Sequence, residues 1–213
     1  MKTTQKTITT FLLIRHATND ALQNGLLYGR TPGIHLNAAG RRQAQALAER
    51  LAALELAAIY TSPLERAAET AAPIAARLAL DPIVCLDLAE GDAGEWTGSP
   101  IAEVSQTELW QDMIVHASGV PLPGGESMWH VQVRMVRAVE AMHAEWPGQT
   151  VVVVSHADAI RSLVAHYLGL PLDLFRRLTV APASITTLRL GGQVPRLVCL
   201  NDTAHLPVLE AGG

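Results

Sequence analysis

The 213-residue sequence is short of several residue types, and each shortage excludes a class of protein. Two cysteines, Cys85 and Cys199, are too few for a disulfide framework or for a zinc site built on cysteine pairs. No stretch reaches the roughly 18 consecutive apolar residues typical of a transmembrane helix, and the apolar run near the start is too short for a signal peptide. We therefore expect a cytoplasmic protein with no membrane partner.

Lysine is also nearly absent, because only Lys2 and Lys6 among the 16 basic residues are lysines and the other 14 are arginines. The 20 acidic residues bring the net charge to −4, which argues against a broad nucleic-acid-binding surface, so we expect no nucleic-acid partner. A guanidinium is a rigid fork that matches phosphate or carboxylate oxygens. The position of each arginine therefore decides whether it belongs to a binding site.

Apolar segments alternate between strand and helix patterns along the chain. Strands are predicted at 8–14, 57–62, 82–88, 151–156, 184–190 and 196–202. Helices are predicted at 36–54, 62–80, about 127–146 and 157–170. This order predicts an α/β fold, a three-layer αβα sandwich whose central sheet is mainly parallel, with one antiparallel strand at the closing hairpin.

Glycines and prolines interrupt this pattern between about residues 89 and 126. One helical stretch, 101–117, lies inside the interruption. We expect the segment to form a small cap insertion in a single domain that spans residues 1–213. Trp96 and Trp110 are expected to pack within this cap, with an apolar wall of a binding site as the alternative.

Cations and imidazoles follow three of the predicted strands. Arg15 and His16 end the first strand, and Arg66 follows the second in "TSPLER". Ser155 and His156 end the "VVVV" strand. Because ligands of open parallel sheets bind beyond the carboxyl ends of the strands, these side chains are expected to meet at one edge. Two arginines and two histidines there predict a pocket for a compact anion, and phosphate fits best.

Two predicted helix starts favour the same anion. In "SPLE", Ser62 and Glu65 fit a capping box with Pro63 at the first helical position, and "SHAD" at Ser155 fits a similar capping pattern. Free backbone N–H groups at a helix start attract anions. Arg66 would lie in a first turn, where a cation opposes the helix dipole unless an anion sits beside it.

Five short motifs occur in order along the chain: "LIRHA", "TSPLERAAETA", "EGDAGEWTG", "PGGES" and "VSHADAIR". Together they resemble the histidine phosphatase superfamily, the phosphoglycerate mutase-like phosphatases, over about residues 10–203. The resemblance implies a two-step phosphoryl transfer, in which His16 is the nucleophile and forms a phosphohistidine that water then hydrolyses. Glu90 would match the general acid and base. No metal and no other cofactor is then expected.

The resemblance also implies which groups hold the phosphate, namely Arg15, Arg66 and His156. The sequence departs from the family pattern just after the Arg-His pair. Ala17 stands where the family usually has glycine, and Asn19 occupies a position usually held by threonine or serine.

Leu22 occupies a position where the family usually has asparagine. Asn19 or Asn24 is therefore a candidate for the missing polar contact to the substrate. Arg30, in "LYGRTPGIHLN", is a further candidate contact to the phosphate or the substrate.

The resemblance favours a phosphatase that hydrolyses small phosphomonoesters without a metal, so that its partner is a small phosphorylated substrate. Two alternatives stay open: phosphoryl transfer of the phosphoglycerate mutase type, and a non-catalytic phosphate-binding regulatory module. The absence of Lys and Arg from residues 89–126 favours the phosphatase. Retention of His16 and Glu90 counts against a binding module, because binding alone needs neither a nucleophile nor an acid. The apolar closing segment could support a homodimer.

Overall fold

The computed structural model describes residues 7–207, which contain one six-stranded sheet. Its strands are β1 (Thr9–Arg15), β2 (Ala58–Thr61), β3 (Ile83–Val84), β4 (Thr150–Ser155), β5 (Ile185–Leu190) and β6 (Arg196–Asp202). Their order across the sheet is β3-β2-β4-β1-β5-β6. The first four in that order are parallel, and β5 runs against both β1 and β6. The predicted mainly parallel sheet with one antiparallel strand is confirmed.

Seven α-helices accompany the sheet within the described residues. They are α1 (Asp20–Gln23), α2 (Ala38–Leu51), α3 (Glu65–Leu78), α4 (Ile101–Val104), α5 (Glu108–Val115), α6 (Met128–Glu145) and α7 (Ala157–Leu168). Short 3₁₀ segments cover Leu86–Leu88, Gly94–Trp96 and Leu172–Arg177. No helix between residues 7 and 207 is long and apolar enough to cross a bilayer.

Alternation along β1 divides the core into two layers, because successive side chains of a strand face opposite sides of the sheet. Phe11 and Leu13 belong to an apolar cluster that includes buried residues of α6 and α7. Leu12 and Ile14 belong to a second cluster with residues of α2 and α3. Helices therefore cover both faces of the sheet, and the predicted three-layer arrangement is confirmed.

Two predicted elements differ from the structure. The predicted strand 82–88 shrinks to Ile83–Val84, whose side chains are exposed at the sheet edge, and then turns into the 3₁₀ segment. The predicted helix 101–117 divides into α4 and α5. The first piece ends at Val104 with Ser105 as its C-cap, and Thr107 caps the second, because its side-chain oxygen accepts from the Trp110 amide at 3.2 Å.

Residues 89–126, which we call the cap, contain a small apolar cluster separate from the two sheet clusters. Val104, Trp110 and Met113 are its buried members, and Trp96 packs against them with its ring centroid 5.8 Å from that of Trp110. The loop after α1 joins the cap, since the Leu27 amide donates to the Ser99 carbonyl at 2.9 Å. This loop and the cap together form one wall above the carboxyl ends of the strands.

Helix α2 begins in close contact with the loop that follows β1. Asn37 caps the helix by accepting from the Gly40 amide at 2.9 Å, and a Cβ added at Gly40 would lie 2.0 Å from the Thr18 carbonyl oxygen. Only glycine allows this approach.

We expect Gly40→Ala to lower the free energy of unfolding by about 1–3 kcal/mol, because the added methyl group must displace backbone rather than a flexible side chain. Urea unfolding would measure the change. Gly119→Ala is the matched control, since a Cβ there meets nothing within 4 Å, and we expect it to change stability by less than about 0.5 kcal/mol. Equal losses in both variants would contradict the close contact at Gly40.

Candidate active site

The ends of β1 and β4 bring two histidines together. The His16 amide donates to the Ser155 carbonyl at 2.9 Å, which places His16 beside His156 with ring centroids 5.1 Å apart. Both side chains are buried. The two histidines predicted to meet at one sheet edge therefore do so, and a common cavity is lined by Arg15, His16 and Glu90.

The His16 ring is held in one tautomer by the backbone. Its Nδ1 lies 2.8 Å from the Ala17 carbonyl oxygen, which can only accept a hydrogen bond, so Nδ1 carries the proton and Nε2 keeps its lone pair. Burial, together with the nearby charges of Arg66 and Arg15, holds the pKa of His16 well below its ordinary value. The imidazole is therefore neutral at pH 7, the state that a nucleophile needs.

Two arginines lie near this ring, Arg66 fully buried and Arg15 partly buried. Among the described residues, Arg66 finds one acceptor: its Nη2 donates to the Gly29 carbonyl at 2.7 Å. Arg15 donates from Nη1 to the Val180 carbonyl at 2.7 Å. Burial lowers the pKa of both guanidinium groups.

Several N–H groups of these arginines have no partner among the described residues: Nε and Nη1 of Arg66, and Nε of Arg15. Buried donors without acceptors cost free energy, and charged ones cost most. An anion bound between the two guanidinium groups would supply the missing acceptors and the missing negative charge. The donors are suited to a phosphoryl group, whose oxygens can each accept more than one hydrogen bond.

His156 takes part in this site through Ser62. Its Nε2 lies 2.8 Å from the Ser62 hydroxyl, and its buried Nδ1 has no partner among the described residues. The Ser62 oxygen also accepts weakly from the Leu64 amide at 3.3 Å. Burial and the neighbouring His16 hold the pKa of His156 well below its ordinary value, so this ring is also neutral.

The predicted capping boxes are wrong. Helix α3 begins at Glu65 with Leu64 as its cap and without a side-chain capping bond. The Ser62 hydroxyl contacts His156 and accepts only weakly from the Leu64 amide, and the Glu65 carboxyl accepts from the Gly33 amide at 3.0 Å instead of closing a box with Ser62. Ser155 does not cap α7 either, since its hydroxyl donates to the Leu88 carbonyl at 2.7 Å. Both serines fix the positions of neighbouring segments instead of completing a helix. Arg66 nevertheless lies in the first turn of α3, as expected.

Thr70 ties the loop after β1 to helix α3. Its hydroxyl accepts from the Ala17 amide at 2.9 Å and donates to the Arg66 carbonyl at 2.7 Å. The backbone at Ala17 does not adopt a positive φ, so this position does not need the glycine usual in the family. The loop that carries His16 and the helix that carries Arg66 are thus linked through the buried Thr70 hydroxyl.

Glu90 enters the cavity from the segment after β3. Its Oε1 accepts from the Gly91 amide at 2.9 Å. Burial of the carboxyl, with the negative charge of Asp158 nearby, raises the pKa of Glu90. The raised pKa favours the protonated form, which can donate a proton to a leaving group.

Arg134 holds the backbone of this segment, and the sequence analysis missed it. Its Nη1 donates to the carbonyls of Asp87 and Ala89 at 2.7 and 2.6 Å, and its Nη2 donates to the Glu90 carbonyl at 3.1 Å. Its Nε also donates to Glu126 at 2.9 Å. A signal was present, since Arg134 interrupts the buried apolar face of α6.

Arg30 and the two asparagines lie elsewhere than expected. Arg30 donates to the Glu90 carbonyl at 2.9 Å and to Glu126 at 2.6 Å, and it does not line the cavity. Asn19 caps α1 by accepting from the Leu22 amide at 2.8 Å, while Asn24 ends that helix and is exposed. The geometry therefore gives no support to these three candidates as substrate contacts.

The cavity has a volume of about 170 Å³ and extends from His16 to the wall formed by the cap and the loop after α1. Its inner end is polar and its outer wall is mostly apolar. Between residues 7 and 207, no cluster of three or more His, Cys, Asp and Glu side chains is arranged to hold a metal ion.

Residues 11–203 match the model of the histidine phosphatase superfamily, branch 1. The chain belongs to this superfamily. A mycobacterial glucosyl-3-phosphoglycerate phosphatase has a similar structure, with a TM-score of 0.83 and 28% identity over 92% of this chain and 100% of that one. The protein YhfR of Bacillus stearothermophilus gives a TM-score of 0.85 and 30% identity over 93% of this chain and 100% of its own.

Curated relatives of this superfamily member are matched over part of their length. Phosphoserine phosphatase 1 of Hydrogenobacter thermophilus is 32% identical over 126 residues, which are 58% of this chain and 59% of that protein. An uncharacterised protein of Mycobacterium tuberculosis is 60% identical over 53 residues, 25% of this chain and 26% of the relative. Family and neighbours together indicate a phosphatase-type enzyme.

We expect Arg66→Met to weaken the binding of inorganic phosphate by about 10- to 100-fold, because it removes charge-assisted hydrogen bonds worth roughly 1.5–3 kcal/mol. Isothermal titration calorimetry measures this without any need for turnover. Arg77→Met is the matched control, since Arg77 lies exposed at the other end of the same helix beside Glu49, and we expect a change of less than about twofold. An effect at Arg77 as large as that at Arg66 would contradict the assignment of the anion site.

We expect the His16 ring to stay neutral from pH 8 to pH 6, with a proton on Nδ1 and none on Nε2. A depressed pKa means that protonation begins only at a pH well below the ordinary value near 6.5. Nitrogen-15 NMR distinguishes the two ring nitrogens, and the His16→Gln spectrum assigns the signal by its loss. A His16 signal that titrates near pH 6.5, or that reports a proton on Nε2, would contradict the geometry.

Proposed function

We propose that this chain is a metal-independent phosphatase that hydrolyses small phosphomonoesters through a phosphohistidine at His16. The observation that carries the proposal is the neutral His16 ring, fixed with its Nε2 lone pair free, beside buried guanidinium N–H groups that lack acceptors. The names of two similar proteins are consistent with it, since one is a glucosyl-3-phosphoglycerate phosphatase and the other a phosphoserine phosphatase.

In the first step, Nε2 of His16 attacks the phosphorus with its lone pair. The bond between phosphorus and the alcohol oxygen breaks, and its electron pair stays on that oxygen. The Glu90 carboxyl donates its proton to the departing oxygen, for which its raised pKa is suited. The Nδ1–H of His16 keeps its proton and donates it in a hydrogen bond to the Ala17 carbonyl, which stabilises the positive charge that develops on the ring.

Three side chains would stabilise the transferring phosphoryl group. Arg15 and Arg66 offer their unpartnered N–H groups to the equatorial oxygens. His156 can offer Nδ1–H if the Ser62 hydroxyl donates to its Nε2, which the 2.8 Å distance allows. These groups are held in place before substrate binds, so little reorganisation is needed during transfer.

In the second step, water attacks the phosphorus of the phosphohistidine. The bond between Nε2 and phosphorus breaks, and its electron pair returns to Nε2 of His16. The Glu90 carboxylate left by the first step accepts the water's proton, so the acid is restored as inorganic phosphate forms. The same carboxyl serves both steps in this proposal, because the water enters the cavity where the alcohol has left.

Glu90→Gln separates the two steps. With p-nitrophenyl phosphate, whose leaving group needs no proton, we expect a burst of about one nitrophenolate per enzyme followed by slow turnover. With an alkyl phosphate, we expect no burst and a rate about 10²- to 10⁴-fold below the wild type, because the leaving alkoxide needs the proton. Rapid-quench measurement with EDTA present would follow both, beside His16→Ala, which should show neither burst nor turnover.

Four results would contradict the proposal. Activity that EDTA removes would indicate a metal-dependent reaction, and turnover by His16→Ala would exclude His16 as the nucleophile. Equal losses of phosphate binding and of the burst in Glu90→Gln would give Glu90 a structural role. Transfer of the phosphoryl group to a second substrate hydroxyl, without release of phosphate, would indicate a mutase.

A further inference from the structure

The cavity wall opposite the side chains that would bind phosphate is apolar. It is formed by side chains of α1, the loop after it and the cap, among them Leu22, Leu27, Ile101, Trp110, Met113 and Leu122. Most of them belong to or pack against the small apolar cluster of the cap, which holds the wall in place. Hydroxyl groups of a leaving alcohol would lose their water against this surface and find few partners there.

One cation interrupts this wall. Arg176, from the 3₁₀ segment Leu172–Arg177, lines the cavity with its guanidinium carbon 5.3 Å from the centroid of the Trp110 ring. The cap itself, residues 89–126, contributes no Lys or Arg. Among the described residues, the arginines that line this cavity are Arg15, which lies beside His16, and Arg176.

The guanidinium of Arg176 is only loosely paired within the protein. Its Nη2 lies 3.9 Å from Oδ2 of Asp158, a long contact, whereas Arg161 donates to Oδ1 of the same carboxylate at 2.8 Å. Its buried Nε has no hydrogen-bond partner among the described residues. Stacking on Trp110 thus orients a planar cation whose Nε stays unpartnered, beside a wall that is mostly apolar.

The charge around Arg176 limits which anion it can bind. Asp158 also lines the cavity and would repel a second phosphate dianion, which would in addition need more than one cation. A carboxylate carries one charge and matches the fork of a single guanidinium. The site therefore favours a carboxylate over a second phosphate.

We propose that the substrate is the phosphate monoester of a predominantly apolar alcohol that carries one carboxylate, which Arg176 binds. This inference rests on the proposed phosphatase activity, and it names the class of leaving group. Arg176 is then a specificity-determining residue: the apolar wall selects against sugar phosphates, and the guanidinium selects the carboxylate among apolar esters.

The test uses aryl phosphates that differ in the carboxylate alone. In each pair a 4-(ω-carboxyalkyl)phenyl phosphate is compared with the 4-alkylphenyl phosphate of the same length, so that the leaving groups match, and the alkyl chain is varied from one to four carbons. We expect the wild type to favour the carboxylate in kcat/KM by about 10-fold or more at the best length. Glucose 6-phosphate should be a poorer substrate than either member of that pair.

The ratio of kcat/KM within the best pair should fall to about one in Arg176→Met, where methionine can still pack on Trp110. Arg177→Met is the matched control, because the neighbouring Arg177 does not line the cavity and its loss should leave the ratio unchanged. A ratio near one in the wild type at every length, a preference that survives in Arg176→Met, or better turnover of glucose 6-phosphate would overturn the inference.

Failure of the underlying phosphatase activity would look different. If p-nitrophenyl phosphate gave no burst with Glu90→Gln and no phosphohistidine formed at His16, the proposed function would be wrong, and so would this inference. If all the aryl phosphates formed the phosphohistidine at similar rates with and without the carboxylate, only the role of Arg176 would fall.

Discussion

Positive charge without an ion-pair partner among residues 7–207 lies at the carboxyl ends of β1 and β2, and the candidate active site is organised around it. Arg66 is completely buried, and within the described part of the chain it makes a single side-chain hydrogen bond, to a backbone carbonyl. Burial depresses the pKa of His16 and the charges of Arg66 and Arg15 lower it further, so the two groups that would bind a phosphoryl group also help to keep this imidazole neutral. A bound anion would reduce the free-energy cost of burying these charges. The same charges are already in position before the anion binds, so little reorganisation is needed.

A second group of charges serves the backbone instead of a ligand. Arg134 and Arg30 both donate to the carbonyl of Glu90 and both bind Glu126. They fix the main chain of the segment that carries the acid, while the Glu90 carboxyl itself stays clear of them. Because neither arginine neutralises that carboxyl directly, burial and Asp158 can keep its pKa raised. Arg15 and Arg66 are the pair proposed to bind phosphate, whereas Arg30 and Arg134 bind the backbone and Glu126. This division allows one site to hold a phosphate and a protonated acid together.

The cap contributes the apolar part of the cavity, which would face the alcohol portion of a phosphomonoester. Trp110 has both of the roles considered for it, since it is buried in the apolar cluster of the cap and also lines the cavity. The guanidinium of Arg176, which comes from a different part of the chain, lies over the Trp110 ring. The polar end of the cavity suits any phosphoryl group, whereas this wall would contact the rest of the substrate.

The sequence by itself determined the alternation of strands and helices, the mainly parallel sheet and the edge at which His16 and His156 meet. Those features follow from the period of apolar residues and from the rule that parallel strands end on the same side, which are local or topological. Only the tertiary structure decided that Ser62 binds His156 instead of capping α3, that Arg30 binds Glu126, and that Arg134 holds the segment before Glu90. The physical reason is sequence separation. These polar side chains bind groups many residues away along the chain, and no local pattern specifies which partner a long or buried side chain will meet.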